Sequence, residues 1–162
     1  MKHSKSGLLL MEMIICIFFF ALCAVVYSQI FLKSHVLSKN TISENHAVIV
    51  LENLAESYYN THGDLESISL LYPMYAEQSD STLRLYYDKD FNPLLLNSID
   101  TGNPDSYTYI AELKLLPDSS SSLRSGTATF KSVSIDHSST MHTEQIYSLD
   151  LTVNVPRTPA SN

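Results

Sequence analysis

Proline and glycine are scarce where this chain begins. No proline precedes Pro73, and neither residue occurs between Gly7 and Gly63. The usual helix breakers are therefore absent over residues 8–62. Cysteine is nearly absent too. The two present, Cys16 and Cys23, lie seven apart on one face of a helix, where they cannot pair within it. No cysteine follows Cys23, which excludes a disulfide framework and thiolate chemistry from the remainder. Four glycines, none clustered, leave no loop to cradle a phosphate. Positive charge is also short. From residue 28 onward 8 Lys/Arg face 16 Asp/Glu. Such an acidic chain repels nucleic-acid phosphates, so no direct nucleic-acid partner is expected. Serine, aspartate and histidine are plentiful, but no nucleophile elbow frames them. No catalytic or cofactor-binding residue is assigned, and the chain does not read as an enzyme.

What is present is one long apolar run. Residues 8–27, LLLMEMIICIFFFALCAVVY, carry a single charge, Glu12. As a helix the run spans roughly 30 Å, the thickness of a bilayer core. Lys2 and Lys5 precede it, and Lys33 and Lys39 follow more sparsely. The positive-inside rule keeps the N-terminus cytoplasmic and sends the rest outward, a single-pass protein of the cytoplasmic membrane. The run is long for a cleaved secretory signal. A lipoprotein signal needs a small residue before the cysteine, yet Leu22 precedes Cys23 and Ile15 precedes Cys16. A plain anchor fits the length but gives no reason for Glu12, a carboxylate that costs up to about 2.5–3.5 kcal/mol at mid-membrane.

The surroundings of Glu12 supply a reason. A short basic leader ends in Ser6-Gly7, Leu8 follows, and the acid is the fifth residue counted from Leu8. This arrangement resembles the prepilin signal of type IV pilins and pseudopilins. The resemblance covers about the first 30 residues; Leu8 and Leu9 stand where Phe and Thr are common. It implies that a prepilin peptidase cuts between Gly7 and Leu8 and methylates the new Leu8 amine. It implies that Glu12 remains as the assembly acid, paired with the N-terminal amine of a neighbouring pilin or pseudopilin subunit. Two charges that are costly alone in lipid would thereby meet. The absence of a proline late in the span leans toward a minor pilin or a pseudopilin.

Beyond the run, Ala47, Val48, Leu51, Leu54, Ala55 and Tyr58 recur at helical spacing. One helix is expected from residue 8 to about His62, ~80 Å long, stopped by Thr61-His62-Gly63-Asp64. Its apolar last part needs a sheet to cover it. Half-buried antiparallel strands are expected at 82–87, 107–115 and 147–155, where apolar and polar residues alternate. Residues 126–135 are less regular: Ala128 and Phe130 fall on one face, Val133 and Ile135 on the other, and a bulge near Lys131 would reconcile them. A short fifth strand is expected at 91–96. Residues 97–106 and 118–125 read as loops, and Pro156 and Pro159 end the last strand. The fold class is α+β: a long N-terminal helix, membrane-spanning in its first half, packed on a C-terminal antiparallel sheet in the pilin manner. The organisation is a leader (1–7), a membrane span (8–27), a helical continuation (28–62) and an extracytoplasmic β-rich domain (63–162).

Other polar groupings yield to structural readings. Asp88-Lys89-Asp90-Phe91-Asn92 begins like a calcium loop, but Pro93 stands where the glycine belongs and Ile99 where the glutamate belongs. A tight turn explains the same residues. His35 and His46 share a helix face but lie too far apart for one ion. His137 and His142, with Glu144 nearby, read as loop histidines, so no metal site is assigned. Tyrosines pack in strand cores, with Tyr86 exposed for contacts. The expected function is structural: a subunit of a type IV pilus, competence or type II secretion-like filament, partnered by membrane, prepilin peptidase and sister subunits, and ending in a cell-surface filament. The alternative is an unprocessed single-span protein displaying an extracytoplasmic binding domain.

Overall fold

The computed structural model describes residues 4–100, 103, 106–117, 122–136 and 140–155. Lys2, His137, Pro156 and Pro159 lie outside the described residues, as does most of the serine run before Leu123. The chain forms helix α1 (Ser4–Asn60), helix α2 (Leu65–Leu71), and strands β1 (Ala76–Ser79), β2 (Thr82–Tyr87), β3 (Tyr109–Leu115), β4 (Leu123–Ile135) and β5 (Met141–Asn154). The strands make one antiparallel sheet in the order β1-β2-β3-β4-β5, an α+β arrangement. Two compact units are present, Met1–Ile42 and Ser43–Asn162.

In the first unit the described chain is α1 alone. Its apolar side chains from Leu8 to Leu37 are exposed all round. A helix apolar on every side is stable only inside a core or a bilayer. Its most apolar stretch is long enough to cross a membrane, and none of that stretch is buried within the chain.

In the second unit the end of α1 lies on the sheet. Ala47, Leu51, Leu54, Ala55 and Tyr58 are buried, at the spacing that places them on one helix face. They pack with Leu83, Leu85 and Tyr87 of β2, Ala111 and Leu113 of β3, Ala128 and Phe130 of β4, and Leu151 of β5. Each fully buried Leu or Phe is worth about 1.5–3 kcal/mol relative to exposure. The helix ends as the sequence indicates, with a shift of one position. His62 takes the left-handed conformation (φ 53°), and Gly63 follows at φ 72°. Gly63 N donates to Tyr58 O at 2.8 Å and His62 N to Tyr59 O at 3.3 Å, the paired bonds of a Schellman end. Asp64 then caps α2: its Oδ2 accepts from Ser67 N at 3.1 Å and from Ser67 Oγ at 2.5 Å.

Several expectations are corrected. Residues 91–96 do not form a strand. They make a single bridge, Tyr87 to Pro93, and a 3-10 turn at Leu96–Ser98. Pro93 has no N–H for a ladder, and Phe91 is left-handed (φ 63°). β1 replaces them as the outer strand; AEQS carries no apolar alternation to reveal it. β5 starts at Met141 rather than near Tyr147, because Met141–Gln145 pair with Ile135–Lys131 of β4; these five residues are exposed and carry no alternation to reveal the strand. The register shifts between Phe130 and Lys131, but the extra residue is on β5. Phe130 pairs with Tyr147 and Lys131 with Gln145, leaving Ile146 unopposed. β4 keeps its alternation, so Val133 stays on the face opposite Phe130. There it packs with Tyr86, Tyr107 and Ile110 in a second small core, covered by Leu94, Leu96 and Ile99. Tyr86 is therefore buried, not exposed.

Candidate functional site

The residues that the sequence singles out lie on the first turns of α1. Gly7, Leu8 and Glu12 are all helical. Leu8 and Glu12 are four apart, so they share a face, and with Met11, Ile15 and Cys16 they line one shallow depression on the helix surface. Leu8 is 71% exposed, and Glu12 is exposed as well. Gly7 has no packing role among the described residues. A Cβ built there meets nothing within 4 Å, and Gly7 is not among the left-handed residues. Glycine inside a helix costs roughly 0.5–1 kcal/mol relative to alanine. The fold thus offers no reason for a glycine at position 7, in contrast to Gly63. Glu12 is the one charged residue between Ser6 and Leu32.

Several other polar groups are engaged in holding the sheet domain together. Both carboxylate oxygens of Asp88 are taken up inside its own turn. Oδ1 accepts from Asp90 N and Asn92 N, each at 2.8 Å, and Oδ2 accepts from Asn92 Nδ2 at 3.0 Å. The Asn92 side chain, then the backbone donors, hold the Asp88 carboxyl below its ordinary range. This is turn chemistry. Glu112, central on the outer face of the sheet, bridges Arg84 Nε at 2.9 Å and Lys131 Nζ at 2.8 Å. Burial pushes its pKa up, but the bonds from Lys131 and Arg84 outweigh that, and the net shift is downward. Tyr86 donates to Glu77; burial first, and that bond second, push its phenol strongly upward. His46 stacks on Phe91 at 4.2 Å, and Phe91 on Tyr109 at 4.5 Å. His142 and Glu144 are exposed on β5, and no group of three metal-ligating side chains occurs among the described residues.

One concavity escaped the sequence reading. A cleft of about 300 Å³ opens beside the C-terminal part of α1, lined by Val50, Asn53, Glu56, Ser57, Leu71 and Tyr87 among others. Ser57 Oγ and Tyr72 Oη meet at its wall, 3.2 Å apart. Burial, then the neighbouring Tyr72, push the Tyr87 phenol up to about 12, so it stays neutral. The cleft depends on α2, a seven-residue helix with no long periodicity to signal it. Searches against protein-family models, curated proteins and solved structures return no match to this chain.

Proposed function

We propose that this chain is a structural subunit, a minor pilin or pseudopilin, of a type IV pilus-like filament. A prepilin peptidase cuts between Gly7 and Leu8, and Leu8 becomes the methylated N-terminus. The observation that carries the proposal is a glycine with no role in the fold. It lies five residues before Glu12, the lone carboxylate of the apolar run 8–27, none of which is buried within the chain. A peptidase must open the helix to reach the bond, and glycine lowers the cost of doing so. In the membrane the apolar helix faces lipid. In the filament it exchanges lipid for the helices of neighbours, while Glu12 receives a neighbour's terminal amine and so loses its uncompensated charge. The sheet domain is extracytoplasmic and faces outward.

Co-expression with a prepilin peptidase, followed by mass spectrometry of the mature N-terminus, tests this. The expected product begins at N-methylated Leu8. A chain still beginning at Met1 favours an unprocessed single-span display protein, and a cut near Ala24 a secretory signal; either rejects the proposal.

A further inference from the structure

Two surfaces of this chain lack cover, and their charges are opposite. The first is residues 43–75, which supply most of the cleft lining. Residues 43–75 hold five Asp/Glu and no Lys or Arg. Glu56 stands on the cleft wall, Glu52 and Glu66 are exposed, and none of the three makes a salt bridge among the described residues. The lining is mixed: Val50, Leu71, Leu85 and Tyr87 offer apolar surface beside the polar Asn53, Ser57 and Asn60. Leu71 lines the cleft yet is 56% exposed, and Leu70 and Met74, close to it in sequence, are exposed also. The second surface is residues 28–42 of α1. They carry Lys33 and Lys39 and no Asp or Glu. All are exposed, including Phe31, Leu32, Val36 and Leu37. These residues follow the span, so a bilayer-thick run of 8–27 leaves them outside the lipid core.

We infer that the cleft of one copy receives the 28–42 segment of a second copy, an apolar side chain entering the cleft while Lys33 meets Glu52 and Glu56. The volume suits a side chain, not a whole helix. Anionic lipid headgroups could take the basic segment but would be repelled by the acidic wall, so they leave the cleft uncovered. A contact between copies satisfies both surfaces at once. Because the two surfaces differ, each copy has one to give and one to receive, and the contact can pass head-to-tail from copy to copy. The inference rests on the filament reading for bringing copies side by side, but it does not need cleavage after Gly7.

Cysteine cross-linking of full-length chains in membranes tests it. Two differently tagged chains, both Cys16→Ser/Cys23→Ser, are co-expressed. One carries Asn53→Cys, and the other Phe31→Cys, Leu32→Cys or Val36→Cys in turn. Asn53 is exposed, so its replacement leaves the fold intact. The expected result is a doubly tagged dimer for at least one position, with none for Ile14→Cys in its place. Glu52→Lys/Glu56→Lys should lower its yield about tenfold, and Lys33→Glu/Lys39→Glu on the other chain should restore it. Loss of the dimer without restoration overturns the charge pairing. No doubly tagged dimer between Asn53→Cys and any of the three partner positions overturns the contact while leaving the filament reading standing. A specific, charge-dependent dimer from a chain that is never cleaved supports the contact and rejects the processing.

Discussion

At the scale of the residue, Glu12 and Gly63 show two kinds of constraint. Glu12 is exposed and makes no hydrogen bond or ion pair among the described residues. If it pairs with a neighbour's amine, Glu12→Val removes one partner and strands the other charge, a loss of about 3–5 kcal/mol per contact. That is on the order of a hundredfold or more in affinity. Membrane insertion and cleavage should stay normal, because Gly7 and the apolar run are untouched, while incorporation into sheared filaments fails. Normal incorporation of the variant would show that Glu12 is a carboxylate that merely reaches the membrane edge. Gly63 is fixed from inside. A Cβ there would lie 2.9 Å from the Tyr58 ring and 2.8 Å from Arg124 Cδ, on a backbone at φ 72°. Tyr58 cannot yield easily: it is fully buried, and its Oη donates to Arg124 O at 2.9 Å. Gly63→Ala should therefore destabilise the domain by about 1–3 kcal/mol, read by urea denaturation. Gly7→Ala should leave that stability unchanged.

At the scale of the element, the sheet is held on its outer face by a charge row crossing three strands. Arg84, Glu112 and Lys131 belong to β2, β3 and β4. Glu112 is the least exposed of the three, and Arg84 is nearly half exposed, which tempers the pair's worth through solvent screening. Glu112→Gln keeps the shape but removes the charge, and should cost about 1–2 kcal/mol. The pH dependence follows from the same bonds. The folded pKa of Glu112 lies below its unfolded value. Its contribution is therefore complete above the ordinary glutamate range and is lost as pH falls through the lowered value. Wild type should lose stability on acidification below that range more steeply than Glu112→Gln. Parallel slopes in denaturation curves across acid pH would show that the row contributes nothing.

At the scale of the molecule, the second unit holds both cores and every described strand. A fragment of residues 43–162 should fold without the apolar run. It should be monomeric in dilute solution, show mixed helix and sheet by circular dichroism, and unfold in one cooperative transition. It lacks residues 28–42, the segment assigned to the cleft. A purely helical spectrum, or a soluble but unfolded fragment, would contradict this.

The sequence by itself determined the long helix, its stop near Gly63, three of the strands and the register of Gly7, Leu8 and Glu12. These are local patterns: an unbroken run without proline or glycine, a 3.6-residue period over residues 47–58, alternation along β2 and β3, and fixed spacings. Tertiary structure alone decided the rest. β1 and the start of β5 are polar strands defined by the neighbour they bond to, not by their own alternation. Val133 and Tyr86 are apolar on the face away from the helix because a loop, through Leu94, Leu96 and Ile99, folds over that face. No spacing along the chain encodes where that loop lands. The cleft arises the same way: α2 must first be docked beside α1 before Val50, Leu71 and Tyr87, distant in sequence, enclose a common space.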